Sequence, residues 1–363
     1  MAKPAAKARS RPKSRAEPVT CWPVHDPGRW DEGPARVWIV GAGAIGASIG
    51  ALLRDEEGVD CRFILDRSRS PHAAAIVATG VDLRFPSASR RVRFRCVPSL
   101  AAASPTPEDL VLIATMGQHT AAAVADLDVA VPVASFQNGL YPLRLLKNRP
   151  LIAAMVYVPA ERRGPGIVAL PGSPRPGSVV LGPWTPGDPR LAAWSTWLAA
   201  RLSGAGFTAE ADADIAPWIR AKVLTNLGGI VVALCDDPPM DVIAAACAEA
   251  EAVWTADGAP FRTVPELLAR IGPLTTVPVD GLARLGGSTR SALARGDALE
   301  TATLHGDVIA DGRRLRVPTP VNKALVAIAA RATAERWSPG AMSADALRDL
   351  VWRPGGQISK ARA

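Results

Sequence analysis

The stretch ARVWIVGAGAIGASIGALL, residues 35 to 53, decides how the rest of this 363-residue chain is read. An apolar run from Arg36 to Val40 enters a glycine turn and leaves as an Ala-rich segment of helical character. The spacing G-x-G-x-x-G falls on Gly41, Gly43 and Gly46. In such a turn the first glycine permits the tight bend. The second lets a backbone approach a pyrophosphate, and the third lets the helix pack close to the strand. The helix start, at Ala44 and Ile45, presents free N–H groups and a partial positive charge to the phosphates. The stretch therefore reads as a dinucleotide site made by Gly41, Gly43, Ala44, Ile45 and Gly46. A structural glycine turn is the bland alternative.

A second apolar run, CRFIL (61–65), follows at the expected distance and ends in ILDRSR. An acidic residue at that tip binds the ribose 2′-hydroxyl of NAD, whereas an arginine pairs with the 2′-phosphate of NADP. Asp66 offers the first; Arg67, with Arg69 behind it, offers the second. Two guanidinium groups favour NADP, because guanidinium–phosphate pairs are charge-assisted and often bidentate. NAD is the less favoured cofactor, and two solvated surface arginines are the bland alternative.

The remaining β-type runs, DLVLIAT (109–115) and VPVASF (131–136), are continuously apolar, as buried strands of a parallel sheet are. Alternation with helical stretches predicts a doubly wound, Rossmann-type α/β domain over residues 35–212. Residues 164–190 are dense in Gly and Pro and read as turns and short edge strands; a helix is expected at 189–203. After residue 212 no strand pattern recurs. Segments 214–237, the Ala-rich run from 239, 263–271, 288–311 and 319–336 predict an all-α domain over 213–356. Residues 1–34 read as a disordered basic tail and lead-in, and 357–363 as a disordered C-terminus.

The net charge of +8 hints at nucleic acid, but its distribution argues otherwise. Lys3, Lys7, Arg9, Arg11, Lys13 and Arg15 face Glu17 alone within the first 18 residues, so the tail carries most of the excess. No helix-turn-helix, zinc pattern or RNA-recognition motif is present, and no specific nucleic-acid partner is expected. Five scattered cysteines without a CxxC pair suit a reducing compartment and no metal site. No apolar run approaches 18 residues and the basic tail has no apolar leader. The expectation is a cytoplasmic protein with no membrane contact. Oligomeric state is out of reach of the sequence, with a homodimer as one option.

Trp218, Lys222 and Asn226 recur at four-residue spacing and share one helix face. A lysine in so apolar a stretch tends to a lowered pKa and can lend a proton to a developing alkoxide. A lysine snorkelling from a core helix is the alternative.

Five ordered stretches then carry a resemblance: VGAGAIG (40–46), FQNGL (136–140), WIRAKVLTN (218–226), STRSALARGDALET (288–301) and HGDVIADGRRLRVPTPVN (305–322). From about residue 35 to 350 the chain resembles the ketopantoate (2-dehydropantoate) reductase family. The resemblance implies a Rossmann domain followed by a helical domain of the 6-phosphogluconate dehydrogenase C-terminal type, with the active site between them. It implies NADPH-dependent reduction of a small 2-keto acid, the last step to pantoate in pantothenate biosynthesis. Lys222 resembles the family's proton donor and Glu300 the acid that works with it. Asn138 resembles the residue at the cofactor–substrate junction, and Asn226 and Ser288 the groups that bind substrate hydroxyl and carboxylate. Glu300 sits in an apolar context, ALETATL, where pairing with Lys222 would relieve the cost of its charge. The bland readings are an exposed helix residue for Glu300, a helix N-cap for Ser288 and a turn residue for Asn138.

Four positions depart from the family pattern. Met116 stands where a lysine near the cofactor is usual, Ile230 where a second asparagine can occur, Ala292 for an aspartate and His305 for an asparagine. These changes remove polar groups from the expected cleft. A site that hydrogen-bonds a substrate hydroxyl discriminates through such groups. Ketopantoate is the substrate the resemblance implies. Another carbonyl or imine from specialised metabolism, or a non-catalytic NADP-binding regulatory role, are the alternatives. His305 either restores a donor or is a satisfied core histidine.

Overall fold

The computed structural model describes residues 27–353. Residues 1–26, with the basic tail, and 354–363 lie outside the described residues; the lead-in expected to be disordered is ordered over its last part, where Pro27–Glu32 forms a 3-10 turn and Gly33 packs against Trp197. Fourteen strands and fourteen α-helices follow in order. The strands are β1 (Val37–Val40), β2 (Cys61–Ile64), β3 (Val81–Arg84), β4 (Ser89–Val92), β5 (Arg95–Val97), β6 (Leu110–Ile113), β7 (Val133–Ser135), β8 (Leu151–Tyr157), β9 (Glu161–Gly164), β10 (Ile167–Ala169), β11 (Gly172–Ser173), β12 (Ser178–Pro183), β13 (Thr208–Ala211) and β14 (Thr275–Thr276). The helices of the first domain are α1 (Ala44–Arg54), α2 (Pro71–Thr79), α3 (Leu100–Ala103), α4 (Thr120–Ala123), α5 (Tyr141–Leu146) and α6 (Pro189–Gly204). Those of the second are α7 (Ala216–Leu227), α8 (Gly229–Leu234), α9 (Met240–Asp257), α10 (Val264–Ile271), α11 (Ser288–Arg295), α12 (Thr301–Leu315), α13 (Pro320–Ala334) and α14 (Ala344–Trp352).

The large sheet has the order β13-β12-β8-β7-β6-β1-β2-β5. All of its neighbours are parallel except β12 against β8. The four apolar runs read from sequence all form strands of this sheet. Alternate residues of one strand feed two cores, as strand geometry requires. Val37 and Ile39 belong to the core that takes in α1 and α6, whereas Trp38 belongs to the core on the other face, which runs through Leu100, Val131 and Leu143 and continues into the helical domain. The Rossmann-type α/β domain and the helical domain are therefore present as expected.

Four details differ from the expectation. In the Gly/Pro-rich segment 164–190, β12 is an interior strand and not an edge strand. SVVLG of that strand is buried against β8 and β13, because Val179, Val180 and Leu181 fill both faces. The segment 288–311 is two helices, divided at Gly296, which adopts φ +68. The segment 214–237 likewise breaks at Gly228, between α7 and α8. The second domain is also not purely helical: β14 crosses over to pair with β11 of the first domain.

Several helices begin as local chemistry dictates. Ser70, Ser343 and Asp188 each accept from a first-turn N–H of α2, α14 and α6. Thr263 and Glu266 form a capping box on α10. By contrast α1 has Gly43 as its N-cap and no side chain reaches its first-turn N–H groups.

The glycine turn between β1 and α1 assigns its three glycines distinct steric roles. Gly41 holds φ +99, and an added Cβ would lie 2.7 Å from Thr115 N. At Gly46 it would lie 1.9 Å from the Gly41 carbonyl oxygen. At Gly43 it would meet nothing within 4 Å. Only a ligand would feel a side chain there. His72 of α2 supports the turn from behind: Nε2 donates to Ala42 O at 2.8 Å, while Nδ1 accepts from Gly166 N at 3.0 Å. Gly46→Ala is expected to cost about 1–3 kcal/mol of stability through overpacking. Gly43→Ala, which meets no atom but exchanges an N-cap glycine for alanine, should cost no more than about 1 kcal/mol yet weaken dinucleotide binding. Thermal denaturation beside a dinucleotide titration separates the two effects; equal loss of stability in both variants would refute the assignment.

Candidate active site

A cleft of about 450 Å³ opens between the domains. Gly43, Ala44 and Ile45 of the glycine turn line it, as do Lys222, Asn226, Ser288 and Glu300; Gly41 and Gly46 do not. Asn138 lies at the junction. Most of the site residues read from sequence therefore converge on one cavity. Arg67 does not line it; it is exposed in a short 3-10 turn at the tip of β2.

Glu300 ends the loop after α11 and immediately precedes α12. Its carboxylate accepts from Gly117 N at 3.0 Å and from Asn138 Nδ2 at 3.1 Å. Asn138 Oδ1 in turn accepts from Asn226 Nδ2 at 3.3 Å. The expected Lys222–Glu300 pair is not formed. Among the described residues no carboxylate lies within ion-pair distance of Lys222, because Glu300 is satisfied by neutral donors from the Rossmann domain. Glu300 is also not an exposed helix residue, nor Asn138 a mere turn residue.

Lys222 projects from α7 over the face of Tyr157, with Nζ 4.4 Å from the ring centroid and 3.4 Å from Thr225 Oγ1. Burial pushes its pKa down from 10.5 to about 8; the positive charge of Arg284 adds to this and Glu300 opposes it. Such an ammonium is poised to give up a proton near neutral pH. Trp218, at the start of the same helix, stays out of the cleft and stacks under Arg270 and Arg262, at 4.1 and 5.5 Å.

Ser288 is the first residue of α11, and the N-cap is Gly287. Ser288 is thus open to the cleft and has no capping role. Of the four departures, Met116 and Ala292 line the cleft. Ile230 and His305 do not: both are about 1% exposed and lie in the core. His305 is a satisfied core histidine, with Nδ1 2.8 Å from Asn322 Oδ1 and a pKa pushed down by burial to about 4. Those two changes therefore remove nothing from the cleft.

Sequence reasoning missed three contributors. Tyr157, at the end of β8, supplies the ring beneath Lys222. Gln137 is buried and its Nε2 donates to Thr120 Oγ1 at 2.9 Å and to Thr115 O at 3.1 Å. It thereby holds the loop that presents Gly117 N. Arg284 sits in the loop before α11 and lines the cleft. A signal existed for Gln137, which lies inside the quoted FQNGL, but none for the other two.

At the cofactor end, Asp66 is engaged locally. Its Oδ1 accepts from Ser68 N at 2.9 Å and from Ser68 Oγ at 2.8 Å, and these bonds hold its pKa below the usual carboxylate range. Arg67 makes no ion pair or hydrogen bond among the described residues. Arg69 lies 3.9 Å from Asp66 and is largely exposed.

Comparison with known proteins gives a consistent result. The family model "Ketopantoate reductase PanE/ApbA" matches residues 37–186, and "Ketopantoate reductase PanE/ApbA C terminal" matches 222–332, together well over half of the chain. A PanE/ApbA family ketopantoate reductase from Ralstonia eutropha JMP134 is 28% identical, with a TM-score of 0.65 over 83% of this chain and 99% of that one. A 2-dehydropantoate 2-reductase from Methylococcus capsulatus shares the fold at 19% identity, with a TM-score of 0.64 over 84% and 98%. So does a D-mandelate dehydrogenase in complex with NADH and anilino(oxo)acetate, at 21% identity and a TM-score of 0.65 over 84% and 99%. No curated protein matches the chain significantly. Among the described residues no helix is long and apolar enough to cross a membrane.

Proposed function

This chain belongs to the ketopantoate reductase family, a family of oxidoreductases acting on CH–OH and C=O groups, and on that premise we propose that it reduces the keto group of a small 2-keto acid with NADPH. The observation that carries this reading is Lys222, a half-buried cation with a lowered pKa in the same cleft as the glycine turn. Gly41, Gly43, Ala44, Ile45 and Gly46 suit a pyrophosphate: Gly43 leaves open space, and the α1 N-terminus has no side-chain cap. Arg67 and Arg69, exposed at the tip of β2, favour the phosphorylated dinucleotide, while Asp66 uses one carboxylate oxygen on Ser68.

A reduced nicotinamide held at the glycine turn would supply hydride to the keto carbon. The chain's own residues do the rest. Lys222 Nζ donates its proton to the keto oxygen as that oxygen gains charge, leaving a secondary alcohol and a neutral amine that solvent reprotonates. Glu300 fixes Asn138 at the junction and Asn138 fixes Asn226, so the wall beside the reacting carbon is preorganised.

Because Lys222 acts as the acid, it must be protonated. Reduction is therefore level below its pKa and declines as pH rises through about 8. Lys222→Ala should lower kcat by roughly 10²–10⁴-fold and abolish the decline. A pH profile of kcat/KM for both proteins checks this; an unchanged profile in the variant would exclude Lys222 as the donor.

The side-chain preference of the cleft is read from its walls. Asn138 is held between Glu300 and Asn226, while Met116, Phe136, Ala292 and Leu304 supply apolar surface. Asn226 and Ser288 keep polar atoms free for a substrate group, but they are set among these apolar walls. Trimethylpyruvate, which is ketopantoate without its hydroxyl, should be reduced with a kcat/KM within about tenfold of ketopantoate. A site built around the hydroxyl would reject it by roughly 10⁴-fold, and that result would assign ketopantoate as the dedicated substrate.

A further inference from the structure

Every carboxylate and cation of the cleft can be matched, with two exceptions. Glu161, 4% exposed, has Arg163 at 2.8 Å. Asp297 has Arg295 at 2.7 Å and Arg162 at 3.8 Å. Glu300 has its two neutral donors. The two cleft cations without a carboxylate within ion-pair distance, among the described residues, are Lys222 and Arg284; Glu300 acts on the first, and Glu161 and Tyr157 on the second, only at longer range.

Arg284 is half-buried, and its Nε is enclosed with no hydrogen-bond partner. Its position is built from outside the helical domain. Arg163 of β9 donates to the carbonyls of Leu282 and Ala283, at 3.4 and 3.1 Å. Arg84 of β3 pairs with Asp280 at 3.1 Å. Pairing of β11 with β14 secures the loop at its other end. The segment between α10 and α11 is thus strapped to the Rossmann domain, and Arg284 is set beside the cleft that the strap crosses. Its charge is felt at Lys222, where it opposes protonation.

Two mutually repelling, partly desolvated cations in one cleft are costly unless an anion joins them. We propose that Arg284 is the carboxylate anchor of this site: its guanidinium pairs with the carboxylate of a 2-keto acid while Lys222 faces the adjacent keto oxygen. The assignment rests on the reductase reading and narrows its substrate preference to α-keto acid anions over esters, aldehydes and imines that lack the carboxylate. Arg284 here takes the carboxylate role that the sequence resemblance gave to Ser288 and Asn226. A planar guanidinium is suited to it, because it meets a carboxylate with two parallel hydrogen bonds.

The test compares wild type, Arg284→Met and Arg284→Lys, with NADPH affinity as the check on folding. Oxamate, an inert isostere of a 2-keto acid, is titrated into each NADPH complex by calorimetry. Reduction of trimethylpyruvate and of its methyl ester is followed in parallel. Arg284→Met should weaken oxamate binding and raise the KM for the acid by about 100-fold. It should leave the KM for the ester and the NADPH affinity unchanged, with Arg284→Lys intermediate. Removing the like charge should also move the alkaline decline to higher pH for acid and ester alike, since Arg284 opposes protonation of Lys222, so the acid–ester difference in KM is the readout that a merely structural arginine would not move. Unchanged oxamate affinity, or equal losses for acid and ester, would overturn the anchor while leaving the reductase reading intact. Loss of oxamate binding in a protein that reduces no keto acid would keep the anchor and end the reductase reading. A wild-type NADPH complex that binds no oxamate would overturn the anchor outright.

Discussion

The cleft depends on one buried-side interaction, the carboxylate of Glu300 reaching from the start of α12 to Gly117 N and Asn138 Nδ2. It belongs to the helical domain, and both of its donors belong to the Rossmann domain. A carboxylate so placed must be paid for by hydrogen bonds, and the N-terminal end of α12 adds a favourable dipole. The consequence is geometric. The loop after β6, the turn after β7 and the face of α7 are held in one register, because Asn138 passes the constraint on to Asn226. Gln137 secures the same loop from beneath.

With that register set, Lys222 is left without a counter-ion, and this gives the site its chemistry. Had Glu300 paired with Lys222, the ammonium would be stabilised and a poor acid. Instead burial and Arg284 lower its pKa while Tyr157 gives the cation a face to rest on. The cofactor end follows a different logic. There the backbone itself is the binding surface, with three glycines differing only in what a Cβ would strike.

Much of this was legible in the sequence where the signal is local. The glycine spacing, the continuous apolar runs and the four-residue spacing of Lys222 and Asn226 each encode their own geometry, and the ordered motifs extended them to Glu300, Asn138 and Ser288. The reading failed where long-range packing decides. Ile230 and His305 looked like cleft positions, but the breaks at Gly228 and Gly296 set the orientation of the helices around them and turn both side chains into the core. Glu300 looked like the partner of Lys222 because its two neutral donors lie more than a hundred residues away. Arg284, in GLARLGG, carries no sequence signal, since its place is dictated by contacts from Arg163 and Arg84. The interior position of β12 was hidden by the prolines and glycines that flank it.

The most direct measurement is isotope transfer in a single turnover. NADPH and NADH, each deuterated at the transferable position of the nicotinamide, are mixed with the protein and a 2-keto acid, and the product is examined by mass spectrometry and NMR. Deuterium at the carbinol carbon of a 2-hydroxy acid, faster from NADPH than from NADH and lost in Lys222→Ala, is the predicted result. A dinucleotide that binds yet transfers no deuterium to any 2-keto acid would contradict it and leave the cleft as a binding site without turnover.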